Sequence, residues 1–373
     1  MKTKLLTPCL LAASIMAATG TQAADIRFNG FASVVGGMTT SEGVDNLAGG
    51  GPSVFTADAP TQARYDDDLS FKPDTNFGLQ VSANLGDGLS VTGQFTGAGG
   101  EDFDATVSWA YISYDLNDSW TLLAGRQRMP FFFYSDFLDV GYAYHWIRPP
   151  VETNVSVDSL DGAQLRYQGS MGSWDTRVQI YGGTSDATTT LSGVSVDLGL
   201  EDAVGAVFYM NNDWLQLRAT HMVADFFLEA PGSNQTDSDP VGVDFSGIAA
   251  HGTFGDGFVV AEYVSYTFDD PVYAAAWDKY EGAYISAGYR FGDVTPHITY
   301  STADQSLIGF AGSIDGDEGS EAITVGARWD FHPQAAFKVE YTTRSDESDA
   351  AVKAIKGEPR EVDVVTFGFD VLF

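Results

Sequence analysis

The sequence is short of three things. It has one cysteine in 373 residues, Cys9, and only 19 Lys and Arg against 51 Asp and Glu. Beyond its first residues it also lacks any long unbroken apolar run. Each shortage excludes something. Cys9 sits in a leader where Lys2 and Lys4 precede an apolar stretch from Leu5 to Ala18, and Thr21-Gln22-Ala23 stands before Ala24. That is the layout of a secretory signal peptide at 1–23, cleaved after Ala23. Cys9 follows Thr7-Pro8, too early for a lipoprotein attachment site. The exported chain, residues 24–373, is therefore expected to have no disulfide, thiol nucleophile or cysteine-bound metal. Loss of Lys2 and Lys4 takes the formal charge from −32 to −34, which sets nucleic acid aside as a partner. Without an apolar run of about 20 residues there is no helical membrane span. Such a chain can still be integral, but only as a closed barrel, because lipid offers no partner to an open sheet edge.

What is present fits a barrel. Val365, Phe367, Phe369, Val371 and Phe373 share one parity, and Thr366, Gly368 and Asp370 the other. Successive strand side chains point to opposite faces, so a strand apolar on one side up to its last residue needs something apolar outside it. This aromatic ending resembles the insertion signal of outer-membrane barrels, which makes Phe373 the expected contact for the barrel assembly machinery. Sixteen segments alternate in this way, from 25–36 to 361–373, an even number as a single-chain bacterial barrel requires. Short turns such as Gly86-Asp87-Gly88, Asp256-Gly257 and Gly292-Asp293 alternate with long polar stretches near 37–73, 128–159, 183–201, 225–243, 269–280, 303–320 and 346–360. Turns on one rim and loops on the other predict an all-β, 16-stranded antiparallel transmembrane barrel with periplasmic turns and extracellular loops.

The faces can be read residue by residue. Ile323, Val325, Ala327, Trp329 and Phe331 oppose Thr324, Gly326, Arg328 and Asp330, and Phe337, Val339 and Tyr341 oppose Lys338, Glu340, Thr342 and Arg344. A soluble sandwich would show the same alternation inverted in space; export, length and Phe373 favour the membrane. Two places break the pattern. In the fourth strand Val107, Trp109 and Tyr111 compete with Ala110, Ile112 and Tyr114, which suggests either a loop covering the inside or a subunit contact outside. Pro296 cannot donate to a ladder and is expected at a periplasmic strand start.

The segment 128–159 differs from every other loop in its aromatic density: Phe131, Phe132, Phe133, Tyr134, Phe137, Tyr142, Tyr144 and Trp146. Exposed rings forgo roughly 25 cal/mol per Å² of burial, so the loop should bend into the lumen and pack on the inside wall. Its motifs, Gly-Arg-x-Arg-x-Pro from Gly125 and Ser-Asp-x-x-Asp-Val-Gly-Tyr-Ala-Tyr-x-Trp-Ile-x-Pro-Pro from Ser135, are similar to those of proteobacterial outer-membrane porins, the general diffusion channels. Phe28-Asn29-Gly30-Phe31-Ala32-Ser33 resembles that family's first strand. The resemblance implies a sixteen-stranded barrel, a homotrimer, and a third loop that forms the constriction.

A constriction needs charges of both signs across a narrow wet gap. Candidates there are Arg126, Arg128, Tyr134, Asp136, Asp139, Arg148 and Glu152. Arg27, Arg166, Arg177, Arg218, Arg290, Arg328, Lys338 and Arg344 fall on the lumen parity as pore-lining candidates, and Glu262 and Glu340 add wall carboxylates. Two rival functions stand beside a pore. A barrel hydrolase would need chemistry that is missing: the five histidines match no metalloprotease spacing and there is no Gly-x-Ser-x-Gly elbow, although His251 and His297 could face the lumen. A solute-selective channel could use Tyr134, Tyr142, Tyr144 and Trp146 as a stacking track. The expected function is a water-filled outer-membrane porin for small hydrophilic solutes and ions, without catalytic residues or a required cofactor. Acidic runs at Asp66 to Asp68, Asp237 to Asp239 and Asp315 to Glu318 could hold divalent cations that bridge to lipopolysaccharide. Chelation that leaves thermal stability and loop proteolysis unchanged would remove that idea.

Overall fold

The alternating segments form strands, and the strands close on themselves. A computed structural model describes residues 25–40, 55–56, 64–153, 159–191, 194–229, 240–272, 277–310, 314–350 and 361–373. The leader at 1–23 and Asp237 to Asp239 lie outside the described residues. The barrel strands are β1 Asp25–Thr39, β2 Asn76–Gly86, β3 Leu89–Ala98, β4 Ala105–Asn117, β5 Trp120–Arg128, β6 Ser159–Met171, β7 Trp174–Leu191 and β8 Val194–Asn211. They continue as β9 Leu215–Glu229, β10 Val241–Phe254, β11 Gly257–Val272, β12 Trp277–Tyr289, β13 Val294–Phe310, β14 Ile314–His332, β15 Ala335–Asp346 and β16 Val362–Leu372. Each is antiparallel to its chain neighbours, and β1 pairs with β16. The seam extends one residue past β16: Gly30 and Phe373 exchange backbone hydrogen bonds of 2.7 and 2.9 Å.

The faces follow the predicted parity. Ile323, Val325, Trp329, Phe331, Val339, Tyr341, Phe369 and Phe373 are exposed on the outer surface, while Lys338, Glu340, Thr366 and Asp370 are buried inside. In β4 a bulge resolves the mixed pattern. Gln94 pairs with Trp109 and Phe95 with Val107, leaving Ser108 unpaired. An extra residue resets the side-chain alternation. Val107, Ile112 and Tyr114 therefore all point out, and Trp109 and Tyr111 turn in half-buried. Neither a covering loop nor a subunit contact is needed to explain this strand. Pro296 is the third residue of β13, at its periplasmic start as expected.

The expected loops at 183–201 and 303–320 are instead largely strand: β7 and β8 run to Leu191 and from Val194, and β13 and β14 to Phe310 and from Ile314. Their Thr, Ser and Asp composition reads as loop, yet the hairpins pair with themselves and add side-chain bonds such as Thr188 to Asp197 and Ser306 to Asp317. The rim is consequently uneven, with 9 to 13 residues in β2 to β5 and 17 to 19 in β7, β8, β13 and β14.

Two features shape the interior. Gly125, Gly162 and Gly183 are register partners across β5, β6 and β7. A Cβ on each would overlap a carbonyl oxygen, of Ala110, Gly182 and Asp161 respectively. Only glycine permits so close an approach, and the backbones of neighbouring strands meet closely along this line. Above it Leu160 and Met129 pack with Leu198, Leu200, Phe226 and Phe245. On the opposite side, residues 66–70 cover the upper edge of β1 through Gly37–Ser70 and Thr39–Asp66 backbone bonds. Tyr65, in a short ribbon with Phe55–Thr56, is buried against Val362 and Val364 and donates to Asp74 at 2.7 Å.

Candidate functional site

The segment between β5 and β6 folds inside the barrel, as its aromatic content predicts, and is described from Met129 to Thr153. Its 3₁₀ turns, Ser135–Phe137, Gly141–Ala143 and Val151–Thr153, keep its direction changing so that the chain follows the inner wall. The rings anchor it. Phe131 and Phe132 pack on Phe245 of β10, and Trp146, 1% exposed, packs edge-on to Tyr284 of β12 and donates to Thr299 at 2.8 Å. Burial of each large side chain contributes roughly 1.5–3 kcal/mol. The loop descends until the Tyr142 hydroxyl donates to the Pro333 carbonyl in the β14–β15 turn at 2.9 Å.

Burying a loop also buries its main chain, whose polar groups need partners. Charged wall residues supply them. Arg218 donates to the carbonyls of Pro130 and Phe131, Arg328 to those of Tyr142 and Tyr144, and Lys338 to those of Gly141 and Trp146. Two buried carboxylates accept from loop amides: Glu262 from Phe133 at 2.7 Å and Glu340 from Ile147 at 3.0 Å. Lys338 also pairs with Asp370 at 2.8 Å, and Asp370 accepts from Ser33 on β1 at 2.6 Å. The loop is thereby tied to the two strands that close the barrel.

This changes the roles expected for several residues. Arg218, Arg328 and Lys338 do lie on the lumen parity, but they hold the loop rather than stand free in water. Arg344 meets Ser320 and, at 3.6 Å, the buried carboxylate of Glu152. Glu152 itself is 3% exposed, and its carbonyl accepts from Tyr280, so it fixes the loop's return to β12. Arg27 pairs with Asp25 and Arg290 donates to the Gly292 carbonyl, both at periplasmic strand ends. Their parity was legible, but their height placed them on the rim. Tyr134, Tyr144 and Trp146 are buried against one another, which removes them from a stacking track, and Tyr142 lies with its ring against Arg328. His297, a lumen candidate for a hydrolase base, is sealed behind the loop against His145.

Two cavities lie among the described residues between the loop and the wall from β1 to β9. A cavity of about 370 Å³ is lined by Arg126, Arg128 and Arg148 together with Asp74, Asn76, Thr96 and Ser108. Each arginine has an acid: Arg126 has Asp161, Arg128 has Asp139, and Arg148 has Asp74. Asp161 and Asp74 were not expected at the site; Asp161 could have been found opposite Arg126 once the β5–β6 register was known. A second cavity of about 240 Å³ sets Asp136 of the loop against Arg177 and Arg218 of the wall. Arg166 lies within electrostatic reach of Asp136 and bonds Gln164.

Comparison with known proteins agrees with this geometry. The sequence profile of Gram-negative porins matches residues 11–349. The chain belongs to the Gram-negative porin family. It is thus a porin of the bacterial outer membrane, and its family and fold are those of a channel. Among solved structures, the outer membrane channel DcaP of Acinetobacter baumannii is similar in fold at 14% identity and TM-score 0.61, covering 94% of this chain and 98% of that one. An anion-selective porin from Comamonas acidovorans gives 14% and 0.56 over 94% and 100%. The trimer form of OmpT from Vibrio cholerae gives 14% and 0.54 over 94% and 100%. No curated protein sequence matches.

Proposed function

We propose that this porin is a water-filled diffusion channel whose narrowest stretch runs between Asp136 on the loop and Arg166 and Arg177 on the wall. The supporting observation is the second cavity, lined by Asp136 of the loop and Arg177 of the wall, with Arg166 within electrostatic reach of Asp136 and the other lumen cations already partnered. Such a transverse field orients dipolar solutes and disfavours apolar ones. Small hydrophilic solutes and ions pass by diffusion, with the acidic external loops as an outer filter. Replacing Arg166 and Arg177 together by glutamine should move the reversal potential in a salt gradient toward cations, by a severalfold change in permeability ratio. An unchanged reversal potential would place the narrowest stretch elsewhere.

The working unit is a homotrimer in this reading. The outwardly apolar wall from β1 to β4, with Phe28, Phe77, Phe95 and Val107 exposed, includes the short β2 and β3 and suits burial between copies better than a tall polar rim. The trimer form of a similar fold supports it. Mass measurement in mild detergent tests it, and a monomer there would refute it. Outer-membrane lipid and lipopolysaccharide complete the surroundings, with Phe373 as the contact for barrel assembly. Residues 1–23 act as the cleaved leader.

A further inference from the structure

The lumen charges are not equally available to a solute. Arg126, Arg128 and Arg148 each face an acid, and Arg218, Arg328 and Lys338 hold loop carbonyls. Arg177 is different. Among the described residues its guanidinium has no acceptor: it lies 5.5 Å over the Tyr209 ring, and its Nε is buried without a hydrogen-bond partner. Facing it across the smaller cavity is Asp136, exposed and without a hydrogen bond to any described residue. The floor between them is neither purely polar nor charged. Phe133 and Phe137 give it an apolar patch, and Gln179 and Gln216 give it amides.

A cation would meet Arg177 with Arg166 and Arg218 close by, and a simple anion would meet the Asp136 carboxylate. A molecule carrying both charges satisfies both walls at once. The volume, about 240 Å³, falls below the roughly 300–1,000 Å³ of pockets for drug-sized ligands. We infer that this cavity is a subsite for zwitterionic amino acids with an apolar side chain. The carboxylate sits on Arg177, the ammonium on Asp136, and the side chain against Phe133 and Phe137. This rests on the channel reading above and adds a substrate class to it.

Proteoliposomes carrying the full chain test the inference with L-phenylalanine as probe. Hydrocinnamate lacks the ammonium, phenethylamine lacks the carboxylate, and glucose reports the open pore. L-Phenylalanine influx should saturate, while glucose influx rises linearly. Relative to each variant's own glucose influx, it should fall about tenfold in Asp136→Asn and in Arg177→Gln, the effect of one charge-assisted hydrogen bond. Hydrocinnamate should gain in Asp136→Asn and phenethylamine in Arg177→Gln. Phe137→Ala should weaken L-phenylalanine but not L-alanine. Linear L-phenylalanine influx, with ratios to glucose unchanged in both charge variants, would overturn the subsite and leave the channel standing. Hydrocinnamate that saturates as readily as L-phenylalanine, with only Arg177→Gln having an effect, would make the site one for anions and overturn it as well. Absence of protein-dependent glucose influx would instead remove the channel reading beneath it.

Discussion

Lys338→Met is expected to lower barrel stability by about 3–5 kcal/mol and to release the constriction loop. Methionine keeps most of the aliphatic volume, so the effect isolates the ammonium. That ammonium is fully buried, pairs with Asp370 and donates to the carbonyls of Gly141 and Trp146. Its loss leaves a buried carboxylate without its counter-charge and two buried carbonyls without a donor, which is the costly half of breaking a buried pair. The unfolding temperature of the folded form on heated gels should drop, and single-channel records should become noisier with a higher open level. Adding Asp370→Asn should recover part of the stability, because it removes the unpaired charge, but not the quiet trace, because the loop carbonyls stay unmet. A single variant with both unfolding temperature and channel noise unchanged would show that the Lys338 ammonium is not needed to seat the loop.

Gly162→Val should prevent assembly rather than weaken it. Its Cβ would overlap the Gly182 carbonyl oxygen, and the strands cannot separate there without opening the line it shares with Gly125 and Gly183. Ordinary overpacking costs about 1–3 kcal/mol because side chains can shift; a clash with backbone in a closed barrel has no such outlet. Expression into the outer membrane should yield no folded band. Gly93→Ala is the control, since the nearest atom to its Cβ, the Trp109 carbonyl oxygen, is 4.0 Å away. Equal folding of both variants would mean that the bare glycine line is not required.

Strand existence and facing were legible because lipid and water impose alternation on every crossing. Val339 beside Lys338 reads correctly without knowledge of any neighbour. Strand length was less legible: at the far ends of β7 and β8 polar residues such as Thr188 and Asp197 bond each other and satisfy a strand as well as a loop. The parity of β4 could not be read, since the bulge at Ser108 is invisible until Gln94 and Trp109 are seen paired. At the site, ring density located the inward loop, and parity placed Arg218, Arg328 and Lys338 inside. Their task was hidden, because they bind carbonyls, which every residue carries and no sequence letter marks. The pairing of Arg148 with Asp74 was hidden for another reason: the two lie on separate loops joined only by the fold.

Three wall cations and two wall carboxylates grip the loop by its main chain. The fastening therefore ignores most of what the loop's own side chains are. Residues such as Asp136 and Phe137, which face water, can be exchanged without undoing it. In the proposed channel, closing the barrel and choosing the cargo become separable problems, with solute choice resting on a few letters of a part whose position is already secured.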